Sequence, residues 1–168
     1  MQITLFAAIS ANGFIADENG NGDFSSPEDK NHLRSFLNSK ACDCFICGRK
    51  TAEEFQDRLS SKPLLILTHQ KKENTANRIY FSTLDELDRI LKAKNLSDPT
   101  LLGGAETYSF FLENGYVDRI VLTTENVRFN AGKSLDLQRF RNDFFFKKRS
   151  RLSEKTTVSF YQRKKPRK

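Results

Sequence analysis

The chain has 168 residues, of which 38% are apolar and 15 are Phe, and 28 Lys and Arg against 21 Asp and Glu give a formal net charge of +7. That length suits one domain with a hydrophobic core, and the composition excludes a disordered chain. No apolar run approaches the roughly 18 residues of a bilayer span, and much of the positive charge lies from Lys147 onward.

Met1 to Ile9 lacks a basic leader and reads as a buried strand over 2–9. The stretch from Ser10 to Phe24 is rich in Asn-Gly turns and carries Phe14 and Phe24. It is either a lid over a cleft or an ordinary surface loop. Ser26-Pro27-Glu28-Asp29 supplies an N-cap, a proline at the first helical position and an acid at the third. It opens a predicted helix over 27–38, with Leu33, Phe36 and Leu37 on one face. An acid at the position of Asp29 is favoured by free N–H groups and the helix dipole even without a ligand.

A strand is predicted over 43–47, with Cys42 and Cys44 on one face and Cys47 on the other. That is poor geometry for a metal, and the three read as buried free thiols of a reducing cytoplasm. Cys47-Gly48-Arg49-Lys50-Thr51 then joins a glycine turn, two cations and a hydroxyl, with a helix predicted over 51–58 and capping-box spacing between Thr51 and Glu54. Such a turn suits a phosphate.

Strands over 63–68 and 78–81 follow, and then Thr83 and Glu86 box the start of a helix over 84–93 with Leu84, Leu87, Ile90 and Leu91 on one face. A strand over 100–102 runs into Gly103-Gly104 and a helix over 105–114, with Tyr108, Phe111 and Leu112 on one face and Gly115 as its stop. Two missing side chains where a strand becomes a helix expose backbone N–H groups. A tight turn alone would explain the pair. Together with Gly48, however, it gives two anion-ready turns in one α/β sheet, whose ligands bind across strand carboxyl ends. The sequence has no G-x-G-x-x-G and no Walker A pattern, which disfavours a standard Rossmann domain and a P-loop nucleotidase.

Strands over 117–124, 143–149 and 156–162 finish the chain, the last two joined by the turn Ser153-Glu154-Lys155. The pattern predicts a three-layer α/β fold. It has a mostly parallel central sheet of about eight strands and a C-terminal antiparallel hairpin. Residues 1–162 form one domain and 163–168 a basic tail. The tail carries no recognition motif and reads as solubilising, with some attraction for an anionic cofactor. Neither a nucleic acid nor a membrane is expected as partner; a non-enzymatic nucleic-acid module is the alternative from another class.

Taken in order, these pieces resemble the dihydrofolate reductase superfamily, which also contains the reductase domain of bacterial riboflavin biosynthesis. The likeness rests on Ala7-Ala8-Ile9-Ser10, Gly13-Phe14-Ile15-Ala16, Pro27-Glu28-Asp29, Gly48-Arg49-Lys50-Thr51, Gly103-Gly104-Ala105-Glu106-Thr107-Tyr108 and Val117-Asp118-Arg119-Ile120-Val121-Leu122-Thr123. It implies an NADPH-dependent cytoplasmic reductase acting on a small molecule, with a cleft across the sheet. Gly48, Arg49, Lys50 and Thr51 would hold the adenosine phosphates, with Thr68 and His69 near the 2′-phosphate. Gly103, Gly104, Ala105, Glu106 and Thr107 would pass under the diphosphate, and Ala8 and Ile15 would approach the nicotinamide. Asp29 would be the acid of the substrate pocket and Thr123 would support the pterin end.

Departures from the family pattern accompany this likeness. Phe24 stands where a tryptophan is usual, Leu33 where many members stack a phenylalanine on the pterin, and Lys62 where an arginine clamps the folate carboxylate. A lysine lacks the rigid bidentate fork. Asp29 favours reduction of 7,8-dihydrofolate to tetrahydrofolate. The wording of Ser25-Ser26-Pro27-Glu28 and of Leu112 to Asp118 leans toward the riboflavin-pathway enzyme, which reduces an aminouracil ribosyl phosphate. Dihydrofolate is the expected substrate and the aminouracil the alternative, with a monomer expected over a homodimer.

Overall fold

The computed structural model describes residues 1–59, 61–135 and 141–165; the tail predicted over 163–168 therefore lies partly outside the described residues. Eight strands form the central sheet. In chain order these are β1 (Thr4–Ser10), β3 (Cys44–Gly48), β4 (Leu64–Leu67), β5 (Arg78–Phe81), β6 (Pro99–Leu101), β7 (Arg119–Glu125), β9 (Phe144–Arg151) and β10 (Thr156–Arg163). They lie side by side as β5-β4-β3-β6-β1-β7-β10-β9. The first six run parallel, and β10 runs antiparallel to both neighbours. Among the elements lying wholly within the described residues, the α-helices α1 (Pro27–Asn38), α2 (Arg49–Phe55), α3 (Leu84–Ala93) and α4 (Ala105–Glu113) cover the faces.

Alternation along β1 separates two cores. Ile3, Leu5, Ala7 and Ile9 pack with Leu87 and Leu91 of α3 and Tyr108, Phe111 and Leu112 of α4. Phe6 faces the opposite way, among Leu37 of α1, Ala52 of α2, Val121 and Val158. This is a three-layer α/β fold. The family-like run at 117–119 has a structural use: the Ile3 N–H donates to Asp118 Oδ2 (2.8 Å), while the Asp118 and Arg119 N–H groups donate to the Ile3 carbonyl. The start of β1 is thereby fastened to the start of β7.

Three expectations are corrected. The stretch 10–24 holds a strand, β2 (Phe14–Asp17), which pairs antiparallel with β8 (Gly132–Ser134) in a separate two-stranded sheet. Helix α2 begins at Arg49, directly after Gly48, so Thr51 lies inside the first turn and does not cap it. The thiols also sort differently. Cys42 and Cys47 belong to the core under α1 and α2, and Cys44 to the other, because Cys42 precedes β3 and strand alternation does not reach it. All three are buried and free. Burial pushes the Cys47 thiol up to about 12 and Cys44 higher still, so neither offers a thiolate at neutral pH. No helix among the described residues is long and apolar enough to cross a membrane.

Candidate functional site

From β1 the chain passes through α1 to β3 on one face, and from β6 through α4 to β7 on the other. Connections therefore diverge between the neighbours β6 and β1, the switch point where ligands settle in α/β sheets. Two glycine turns meet beside it. The Gly48 N–H donates to the Gly103 carbonyl (2.8 Å). A Cβ on Gly48 would lie 2.6 Å from Thr107 Oγ1, and one on Gly104 3.3 Å from Thr51 Oγ1. Gly103 takes φ +115° with the Tyr108 ring against it, and its peptide bond to Gly104 is cis. Gly104 is the N-cap of α4 and provides no side-chain cap. The first N–H groups of α4 are thus left unclaimed by any capping side chain, at the positive end of the helix dipole. This cradle, bounded by Gly48, Thr51, Gly103, Gly104 and Thr107, has the chemistry that a dinucleotide's phosphates need.

The cations around it are less committed. Arg49 pairs with Glu53 across one turn of α2 (2.7 Å), and Lys50 and His69 are exposed. Thr68 Oγ1 accepts from the Gln70 N–H (3.1 Å). Ala105 is partly buried and Glu106 exposed at the start of α4.

A second set of polar groups gathers at the start of α1. Ser26 caps the helix, accepting from the Asp29 N–H (3.2 Å). Its own N–H and hydroxyl donate to Glu125 Oε1 (2.8 and 2.7 Å), and Thr156 Oγ1 donates to Glu125 Oε2 (2.7 Å). Glu125 is only 3% exposed. It pins the first turn of α1 over the end of β7 and so fixes where Asp29 projects. Asp29 is itself 3% exposed, and its Oδ1 is buried with no protein partner. Thr123, two residues before Glu125 on the same face, also has a buried hydroxyl without a partner, and it pairs in register with the half-buried Ala8. A carboxylate and a hydroxyl so placed can receive N–H groups of a polar heterocycle.

The other anticipated residues make contacts of their own. Leu33 packs into the core beside Phe6. Phe24 meets Phe129 edge to face (5.2 Å). Ile15, on β2, is buried in the α3 and α4 core. Lys62 is spent elsewhere: its ammonium donates to the carbonyls of Leu37, Ser39 (3.0 Å) and Cys42, neutralising the negative end of α1. Lys62→Met is expected to lower the unfolding free energy by about 1–3 kcal/mol and to leave substrate KM unchanged, read by urea titration and kinetics. A raised KM with unchanged stability would make it a substrate clamp instead.

Sequence reasoning missed Glu125, His32 and the use of Tyr108. Tyr108 Oη donates to the Phe6 carbonyl (2.6 Å), and burial holds the phenol far above its ordinary value, so it braces β1 rather than trading protons. Only spacing hinted at His32, which follows Asp29 by one helical turn. Among the described residues no His, Cys, Asp and Glu cluster could hold a metal.

Known proteins resemble this chain in sequence or in fold. A Bacillus subtilis (strain 168) protein, YyaP, itself uncharacterised, is 28% identical over 152 residues, covering 80% of this chain and 79% of its own. A Shewanella sp. PV-4 protein provisionally assigned to riboflavin biosynthesis superposes with a TM-score of 0.74 at 22% identity, over 98% of this chain and all of its own. The diaminohydroxyphosphoribosylaminopyrimidine deaminase/5-amino-6-(5-phosphoribosylamino)uracil reductase of Thermotoga maritima superposes with a TM-score of 0.76 at 13% identity. That match covers 96% of this chain but only 56% of the Thermotoga protein. The sequence model of the dihydrofolate reductase family matches residues 2–164, and the chain belongs to that family.

Proposed function

We propose that the chain is an NADPH-dependent reductase of a pyrimidine carrying a ribosyl phosphate, the 5-amino-6-(5-phosphoribosylamino)uracil type of substrate. The observation that carries the substrate choice is the engagement of Lys62. With its ammonium held by three carbonyls, the position that would clamp a folate tail has no free cation. The fold is also shared with proteins ascribed to riboflavin biosynthesis.

The glycine cradle supports the cofactor. Its missing side chains and the uncapped start of α4 leave room and N–H donors for a diphosphate; the exposed Lys50 and His69, with Arg49 if it exchanges its surface pair with Glu53, would meet the extra phosphate that separates NADPH from NADH. NADPH, when bound, supplies the hydride, which would pass to C1′ of the ring-opened sugar imine while a proton goes to the adjacent nitrogen, leaving a ribityl chain. The protein's share is orientation and charge placement. Asp29 accepts ring N–H groups, Thr123 adds a hydroxyl, and Glu125 holds the helix that carries Asp29.

A second reading, dihydrofolate reduction, is favoured by the buried acid at Asp29, which suits a 2-amino-4-oxo pteridine. Oxidation of NADPH measured with each compound in turn separates the two. Turnover of the aminouracil with little or none of dihydrofolate is expected. Turnover of dihydrofolate alone would reverse the order of the readings, and equal use of NADH would remove the cofactor preference.

A further inference from the structure

Among the described residues, three buried polar atoms without protein partners belong to the α1 side of the sheet near its active end: Asp29 Oδ1, Thr123 Oγ1 and His32 Nδ1. Buried polar atoms in folded proteins are almost always satisfied, so three in one neighbourhood mark a place built for a polar guest. His32 is the one that neither the family likeness nor the proposed chemistry uses.

Its placement is fixed by rings. His32 lies one turn after Asp29, so both side chains leave the same face of α1. The imidazole centroid is 5.4 Å from that of Phe6 on β1 and 6.2 Å from that of Phe160 on β10, edge to face. These contacts hold the ring plane but give Nδ1 no hydrogen bond. We propose that His32 is a specificity-determining residue, a neutral imidazole whose Nδ1 accepts a hydrogen bond from an amino or N–H group of the heterocycle that Asp29 holds. This rests on the pyrimidine reading above and extends it to a particular edge of the ring.

The charge state follows from the surroundings. Burial pushes the imidazole below its ordinary value, and the Asp29 carboxylate opposes this only in part. The remaining neighbours bring no charge to the ring itself. Phe6 faces it from β1 and Phe160 from β10. Lys148 of β9 stands over the Phe160 ring, 4.8 Å from its centroid, and Glu125 is occupied by Ser26 and Thr156. A neutral Nδ1 can accept. Once protonated it can only donate, and it sets a cation beside Asp29 that competes with the ligand for the carboxylate. Affinity for the pyrimidine should therefore fall as pH drops through the lowered imidazole value.

Calorimetric titration of 5-amino-6-(5-phosphoribosylamino)uracil into wild type, His32→Phe and His32→Asn, each saturated with oxidised NADP⁺ so that no hydride transfer occurs, tests this. His32→Phe should weaken pyrimidine binding about tenfold, the worth of one buried hydrogen bond. His32→Asn, which keeps an acceptor near Nδ1 but cannot titrate, should recover most of that loss and flatten the acid side of the affinity profile. NADPH affinity should be the same in all three, which reports an intact fold. Equal pyrimidine affinity of wild type and His32→Phe across pH overturns the proposal, as does an acid limb that persists in His32→Asn. If His32→Phe does not fold, the Asn profile decides. If wild type binds NADPH but no pyrimidine, the substrate reading falls first and takes the role of His32 with it.

Discussion

Asp29→Asn is expected to lower the rate at sub-saturating substrate, kcat/KM, by about 10–150-fold, the worth of about 1.5–3 kcal/mol for one charge-assisted hydrogen bond, while NADPH affinity holds. The substitution removes a charge and little else. The backbone N–H of residue 29 still donates to Ser26 Oγ, so the capping bond that helps to start α1 survives. The acid's favourable interaction with the helix dipole is lost, worth about 0.3–1 kcal/mol. What disappears is a carboxylate that is 3% exposed with one oxygen unsatisfied. A group kept only for capping would not need that burial. Steady-state kinetics beside thermal melting decide: a stable variant with an unchanged rate would reduce Asp29 to a helix-start residue.

The second large effect is expected at Gly48. In Gly48→Ala the new methyl would stand 2.6 Å from Thr107 Oγ1, well inside contact distance, and Thr107 is buried in the first turn of α4. Either Thr107 turns away or α4 moves from β3, and both spoil the cradle of N–H groups. NADPH affinity should drop by about tenfold or more, since losing even one charge-assisted hydrogen bond is worth about 1.5–3 kcal/mol. The double variant Gly48→Ala with Thr107→Ala removes the clashing oxygen and should recover most of the affinity. That recovery is the diagnostic, because it separates steric crowding from a loss of backbone freedom. Tight NADPH binding by Gly48→Ala alone would show that the cradle is not where the cofactor sits.

What the sequence made legible was local. Ser26 and Thr83 announce their helices because capping is decided within four residues, and both caps form. The strand order was not written anywhere, but alternation of apolar strands and helices limits it severely. Thr51 misled because its spacing to Glu54 satisfies a capping pattern while Gly48, three residues earlier, already turns the chain. Strand β8 is three residues long and mostly exposed, so it shows no periodicity. Asp29 was visible as an acid in a first helical turn. Its burial was not, because that depends on Glu125, which holds Ser26 from 99 residues away. Lys62 lies equally beyond local reading: its three carbonyl partners are 20 to 25 residues distant.

The small sheet of β2 and β8 ties together stretches of chain more than a hundred residues apart. Its ladder steps from Phe14–Ser134 to Ala16–Lys133, which leaves Ile15 as the extra residue of a bulge and sends that side chain into the core. Gly132 backs so closely onto this bulge that a Cβ there would stand 2.1 Å from the Ala16 carbonyl oxygen. Residues 14–17 and 132–134 are therefore one unit of exchange. A chimera that borrows the segment after β1 from a relative inherits a matching obligation at the far end of the gene, and a library that randomises either stretch alone samples mostly mismatched halves.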